Sequence, residues 1–217
     1  MRRTAALFVL LAILLVPGAA AQPEVSLRGN VGAAFFRSPD GLNNVLNSGV
    51  DLGLGAGVEL YKGVELVLQG SYDRFTLNGD NVALFDANLS VGARVEGGAL
   101  NVLNGTIGLR YILENSTDAH PYVAGGVGVY RSVLEKTKIQ GEEIFPRLAT
   151  TSRGFYAAIG STFRINDTYA VFFEPRFVSV DTEGSELDTG ESTRYVTLRL
   201  GLDVRLWGAD ADRQRSP

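Results

Sequence analysis

Apolar and other residues take turns along most of this chain with a period of two. Residues 49–60 place Val50, Leu52, Leu54, Ala56, Val58 and Leu60 on one parity and Asp51, Gly53, Gly55, Gly57 and Glu59 on the other. Residues 193–206 set Val196, Leu198, Leu200, Leu202, Val204 and Leu206 against Thr197, Arg199, Gly201, Asp203 and Arg205. Such alternation marks an extended strand whose two faces meet different surroundings. The same pattern recurs over residues 25–36, 64–75, 99–113, 121–133, 153–165 and 169–180, which predicts eight strands. No stretch beyond residue 21 keeps a 3.6-residue period, so the expected fold class is all-β.

The connections alternate in length. Those after strands 2, 4 and 6 are short (61–63, 114–120, 166–168), and those after strands 1, 3, 5 and 7 are long (37–48, 76–98, 134–152, 181–192). Short turns at one end and long loops at the other are the pattern of a transmembrane up-and-down antiparallel β-barrel, with periplasmic turns and extracellular loops. Strands of about twelve residues, rising ~3.3 Å per residue at a tilt of ~40°, reach roughly 30 Å, the thickness of the hydrocarbon layer. Residues 86–95 also alternate, which leaves ten strands open as a count.

Composition decides which face meets lipid. A soluble barrel would turn its charged parity to water and pack its aliphatic parity around a ligand. Glycine at every second position serves a water-facing strand poorly, because it packs nothing and weakens the strand. In a crowded lumen Gly53, Gly55, Gly57, Gly126, Gly128, Gly160 and Gly201 make room for long side chains from neighbouring strands. The same parity carries Arg28, Arg110, Arg164, Arg176, Arg199 and Arg205 with Asp51, Glu59, Glu65, Asp73, Glu174 and Asp203, a neutral balance. Enclosed charges must pair, since one left alone costs several kcal/mol. A salt-bridged closed lumen is therefore expected, against the alternative of scattered solvated charge. Aromatic residues sort to the strand ends. Phe35, Tyr72, Phe155, Phe177 and Tyr195 lie on the loop side, and Tyr61, Tyr111, Phe163, Tyr169 and Trp207 on the turn side, as two interfacial girdles would.

The first residues change the picture of where the chain resides. Arg2 and Arg3 precede an apolar run over residues 5–16, then Pro17 and the small residues Ala19, Ala20 and Ala21. The run is short of the ~20 residues a spanning helix needs, and it ends in a cleavage pattern, so residues 1–21 read as a signal peptide. The expected division is a signal peptide at 1–21, a barrel over 22–207 and a short polar tail at 208–217. Losing Arg2 and Arg3 leaves eighteen basic residues against twenty-four acidic ones. The resulting net negative charge opposes nucleic-acid binding. With no cysteine there is no disulfide, thiolate metal site or lipid-modified cysteine.

From residue 25 to residue 207 the chain resembles the OmpA/OmpX-type and opacity-type eight-stranded outer membrane barrels. The resemblance rests on residues 121–130, Pro-Tyr-Val-Ala-Gly-Gly-Val-Gly-Val-Tyr, and on the last strand. There Arg199, Gly201, Leu202, Val204, Leu206 and Trp207 are similar to the signal read by the outer membrane assembly machinery. Chains of that kind often end on the terminal aromatic, whereas ten residues follow Trp207 here. No peptidoglycan-binding domain follows the barrel, so the resemblance implies no cell-wall tether.

Candidate chemistry is sparse. Barrel enzymes of similar shape use histidine with serine or an acid, and the single histidine, His120, falls beside Pro121 in an expected periplasmic turn, away from the outer leaflet. Asp181, Glu183, Glu186 and Asp188 could offer oxygens to calcium but lack EF-hand spacing. Gly53, Gly55 and Gly57 lack the strand-to-helix context of a phosphate loop. The sequence thus predicts no catalytic, metal or cofactor site. The expected partners are outer membrane lipids, the assembly machinery and an extracellular partner met through the loops. Residues 134–152, with Lys136, Lys138, Glu142, Glu143, Ile144 and Phe145, lead among those loops. The expected function is a non-catalytic integral outer membrane barrel with a structural or surface-interaction role. The alternatives are a narrow outer membrane pore and a soluble periplasmic carrier.

Overall fold

The computed structural model describes residues 24–39, 46–77, 95–113, 115–139, 142–182 and 192–207. Eleven strands occupy them: β1 (Val25–Ser38), β2 (Gly49–Tyr61), β3 (Val64–Phe75), β4 (Val95–Gly97), β5 (Leu100–Ile112), β6 (Ala119–Leu134), β7 (Thr137–Ile139), β8 (Glu142–Phe145), β9 (Leu148–Arg164), β10 (Tyr169–Val180) and β11 (Thr193–Trp207). Eight of them close a barrel in the order β1-β11-β10-β9-β6-β5-β3-β2, every neighbouring pair antiparallel. Closure is made by β1 on β11, with Arg28 opposite Asp203 and Gly32 opposite Arg199.

Short turns join β2 to β3 and β9 to β10. Gly63 takes a φ of 74° in the first, a left-handed conformation open to glycine at no steric cost. In the second, the Asn166 side chain accepts from the backbone N–H groups of Thr168 and Tyr169 at 2.9 and 2.8 Å, an Asx turn that replaces strand hydrogen bonds.

The loop end departs from expectation. The barrel closes at eight strands, and β4, β7 and β8 form a separate three-stranded sheet instead of a ninth and tenth stave. Residues 134–152, expected as loop, are mostly strand. β6 runs to Leu134, and β9 begins at Leu148, five residues before the expected start. Above the membrane neither face must be apolar, so Thr150, Thr151 and Ser152 continue the ladder without the alternation that betrays a strand elsewhere. Of the extra alternating stretch at residues 86–95, only Val95, the first residue of β4, is described; residues 86–94 lie outside the described residues. So do residues 1–21 and 208–217.

Side-chain facing follows parity. Leu54 is 75% exposed and Leu200 59%, while Asp51 and Asp73 are 0% and Arg199 1% exposed. The aliphatic belt faces outward, which overturns the soluble carrier: its leucines and valines would have to line the cavity, and here glycine and charge do. The inward glycines lie beneath neighbouring side chains. A Cβ on Gly160 would stand 2.5 Å from Cζ of Tyr122, and one on Gly154 would stand 2.8 Å from Cε2 of Tyr130. The outward Gly105 has open space at the same position. Gly160→Val should therefore cost ~1–3 kcal/mol through overpacking, with Gly105→Val close to neutral. Urea midpoints of the two refolded variants in micelles check the contrast.

Candidate functional site in the barrel lumen

The strands deliver their non-apolar parity to the barrel axis, where eight of the expected charges join through ion pairs. Glu174 is the hub: its carboxylate lies 2.7 Å from Nη2 of Arg176, 3.8 Å from Nη1 of Arg199 and 4.0 Å from Nη2 of Arg28. It also accepts from the Tyr122 hydroxyl at 2.9 Å. Arg199 donates to Asp51 at 2.7 Å and to the Ser71 hydroxyl at 3.2 Å. Arg28 pairs with Asp203 at 2.9 Å, a coulombic contact without hydrogen-bond alignment at Nε. Arg110 bridges Asp203, at 3.0 Å, and Glu65. All eight are buried. In so enclosed a place the geometry must be near complete for attraction to offset desolvation.

Neutral polar groups fill the remaining positions. Arg176 donates to Gln69 at 2.7 Å, Gln69 to Asn30 at 3.0 Å, and Asn30 to Asp51. Asp73 takes its donors from Tyr195 at 2.9 Å and Asn104 at 3.3 Å. The guanidinium faces rest on rings, Arg176 on Tyr156 at 4.1 Å and Arg28 on Phe172 at 4.3 Å, so the charge is met by π density as well as by carboxylate.

Three expected members stand apart at the turn-end rim. Arg205 pairs with Glu24 at 2.7 Å, Glu59 accepts from the Gly63 backbone at 3.0 Å, and Arg164 is exposed. Burial raises the Glu24 carboxyl above its ordinary range; Arg205 opposes the shift, and Glu59 and Glu65 add to it. This rim encloses an inlet of about 380 Å³ lined by Glu59, Glu65, Arg110 and His120. His120 thus lies in β6 and not in a turn, because its pairing with Thr162 carries the ladder two residues past Pro121.

Toward the loop end the lumen turns apolar. Phe36 meets Phe75 edge to face at 5.6 Å, and Phe75 meets Tyr195 at 5.5 Å, over Leu100, Val102 and Val180. Tyr195 was expected in the outer girdle; it is fully buried on the inward parity, the parity of Arg199. Phe155 and Phe177, by contrast, do face out, their ring centroids 6.3 Å apart. Sequence reasoning passed over the lumen aromatics Phe36, Phe75, Tyr122, Tyr156 and Phe172. Their signal was present: each shares parity with an arginine, acid or glycine of its own strand.

The assembly-signal residues divide between faces of β11. Arg199 and Gly201 point inward, Leu202, Val204 and Leu206 outward, and Trp207 closes the strand opposite Val25. Among the described residues no group of three His, Asp or Glu is placed to hold a metal ion.

Comparison with known proteins places this geometry. The model of a family described as outer membrane protein beta-barrel domain matches residues 5–205. No curated protein sequence matches the chain. Among solved structures, Neisserial surface protein A superposes with a TM-score of 0.54 at 14% identity, covering 84% of this chain and 97% of its own. The N-terminal barrel domain of Pseudomonas aeruginosa OprF gives 0.51 at 12% identity, covering 86% and 100%. The attachment invasion locus protein Ail of Yersinia pestis gives 0.50 at 12% identity, covering 86% and 99%. At such identities the likeness is one of fold.

Proposed function

Because this chain belongs to the outer membrane protein beta-barrel domain family, and so resides in the outer membrane, we propose that it acts without catalysis, as a sealed barrel that holds its extracellular loops at the cell surface. The observation that carries this reading is the filled lumen. A continuous ion-pair layer around Glu174 lies below an apolar seal of Phe36, Phe75 and Tyr195. Eight strands enclose little more than their own side chains, and here those side chains are locked to one another. Rigid staves and a blocked axis suit an anchor whose specificity resides in its loops. Residues 1–21 would direct export, and Arg199, Gly201, Leu202, Val204, Leu206 and Trp207 would present the last strand to the assembly machinery.

Planar-bilayer recording of the refolded barrel tests the reading. No steady current is expected in neutral salt, because ion passage would require the pairs of Arg199 and Arg110 to part and the aromatic seal to open. The inlet at the turn end is the one observation that favours a narrow pore. A steady ohmic current would establish that reading and remove the sealed one.

A further inference from the structure

On the outside of the barrel, where β3, β5 and β6 approach the loop end, a cleft of about 1070 Å³ opens beneath the small β4-β7-β8 sheet. Among the described residues its walls carry Arg131, Arg147, Lys136 and Lys138, and one acid, Glu135. That acid is already engaged, lying 3.7 Å from Arg74 and accepting from Asn101 at 3.0 Å. Arg131 and Arg147 are the two guanidinium groups of that wall. Both are exposed, and among the described residues neither is ion-paired.

The floor of the cleft turns from polar to apolar away from the loops, with Asn101 accepting from the Tyr72 hydroxyl at 2.6 Å at its upper edge. Tyr72 and Leu103, both on the lipid-facing parity, line it, and the same two residues line a second depression that continues down the barrel to Gly70. Gly70 pairs with Gly105 and lines a third, bounded by Leu68, Ile107 and Val127. The two glycines leave a furrow in an otherwise aliphatic wall, and a Cβ on Gly105 would meet nothing within 4 Å. From Asn101 to Ile107 the furrow runs six residues, roughly 20 Å along the strand and ~15 Å in depth at the tilt of such barrels, about one leaflet.

We propose that this cationic cleft and the furrow below it hold one phosphorylated glycolipid of the outer leaflet, its phosphate between Arg131 and Arg147 and an acyl chain along Leu103 and Gly105. The two ends demand different chemistry from one ligand. Guanidinium groups select a phosphate by charge-assisted, bidentate hydrogen bonds. The glycine furrow selects a flexible hydrocarbon by shape, and its place at the leaflet boundary excludes a water-soluble peptide. The proposal needs the membrane orientation and is independent of whether the lumen conducts.

The test uses the full barrel refolded in a neutral maltoside detergent. The probes are an acylated, diphosphorylated glucosamine disaccharide (diphosphoryl lipid A), its dephosphorylated form and inorganic phosphate, with bound lipid counted by native mass spectrometry. A single diphosphorylated lipid is expected per barrel, held about ten-fold tighter than the dephosphorylated form. Joint Arg131→Gln and Arg147→Gln substitution should weaken it by a similar, about ten-fold factor. Gly105→Leu should weaken it several-fold while heat-modifiable gel mobility, a report of folding, stays unchanged. Equal retention of the two lipid forms, or undiminished binding by the double variant, would overturn the proposal. Displacement by inorganic phosphate would also overturn it, by showing a free-anion site with no lipid component.

Discussion

Glu174→Gln is expected to destabilise the folded barrel by ~3–5 kcal/mol, the usual cost of breaking a buried charge pair from one side. The substitution keeps the shape of the side chain and removes only its charge. Arg28, Arg176 and Arg199 then face one another across the space that Glu174 now neutralises, with Asp51 and Asp203 the nearest remaining acids. Urea unfolding in micelles, followed by gel mobility of unheated samples, reads the loss. A second arm tests the mechanism: adding Arg176→Gln to Glu174→Gln removes one of the stranded cations, so the double variant should be less destabilised than the sum of the two single losses. Strict additivity would mean that the two side chains do not share one electrostatic site.

Leu200→Arg should impair membrane insertion severely, whereas Leu206→Arg should be nearly silent. Leu200 lies at the middle of β11 and faces outward, and a cation at that depth costs ~2–4 kcal/mol. Leu206 faces outward too but stands at the turn-end interface, where the cost falls to ~0–1 kcal/mol. The fraction folded into lipid vesicles, read by gel mobility, distinguishes the two. Equal yields would contradict the assigned depth. An inward control is harder to choose than parity suggests. Thr197 faces the lumen but is wholly enclosed beside the arginine layer, so an added guanidinium there would be crowded and unpaired.

How far a strand could be read from its residues depended on where it sits. The limits of β3 and β10 coincide with their alternation at both ends. β9 extends five residues beyond its alternation because those residues stand above the membrane, where no hydrophobic face is required. The candidate site divides in the same way. That Arg199, Asp51 and Glu174 face inward follows from parity alone. That Glu174 gathers three arginines while Arg164 and Arg205 stay at the rim does not.

Facing is a local property, fixed by the two-residue period of the strand and by the contrast between glycine or charge and aliphatic side chains. The alternating staves, the outward belt and the charged interior were therefore determined by the sequence by itself, whereas the choice of eight staves over ten and the turn-side limit of β6 at Ala119 were not. Partner choice is a property of depth and angle around the axis. Arg199 and Asp51 are 148 residues apart and meet only because β1 closes on β11 with one particular stagger. The aromatic seal, the hub at Glu174 and the cationic cleft over the glycine furrow were decided by that closure, since shear between strands sets which side chains share a level, and no pattern along a single strand records it.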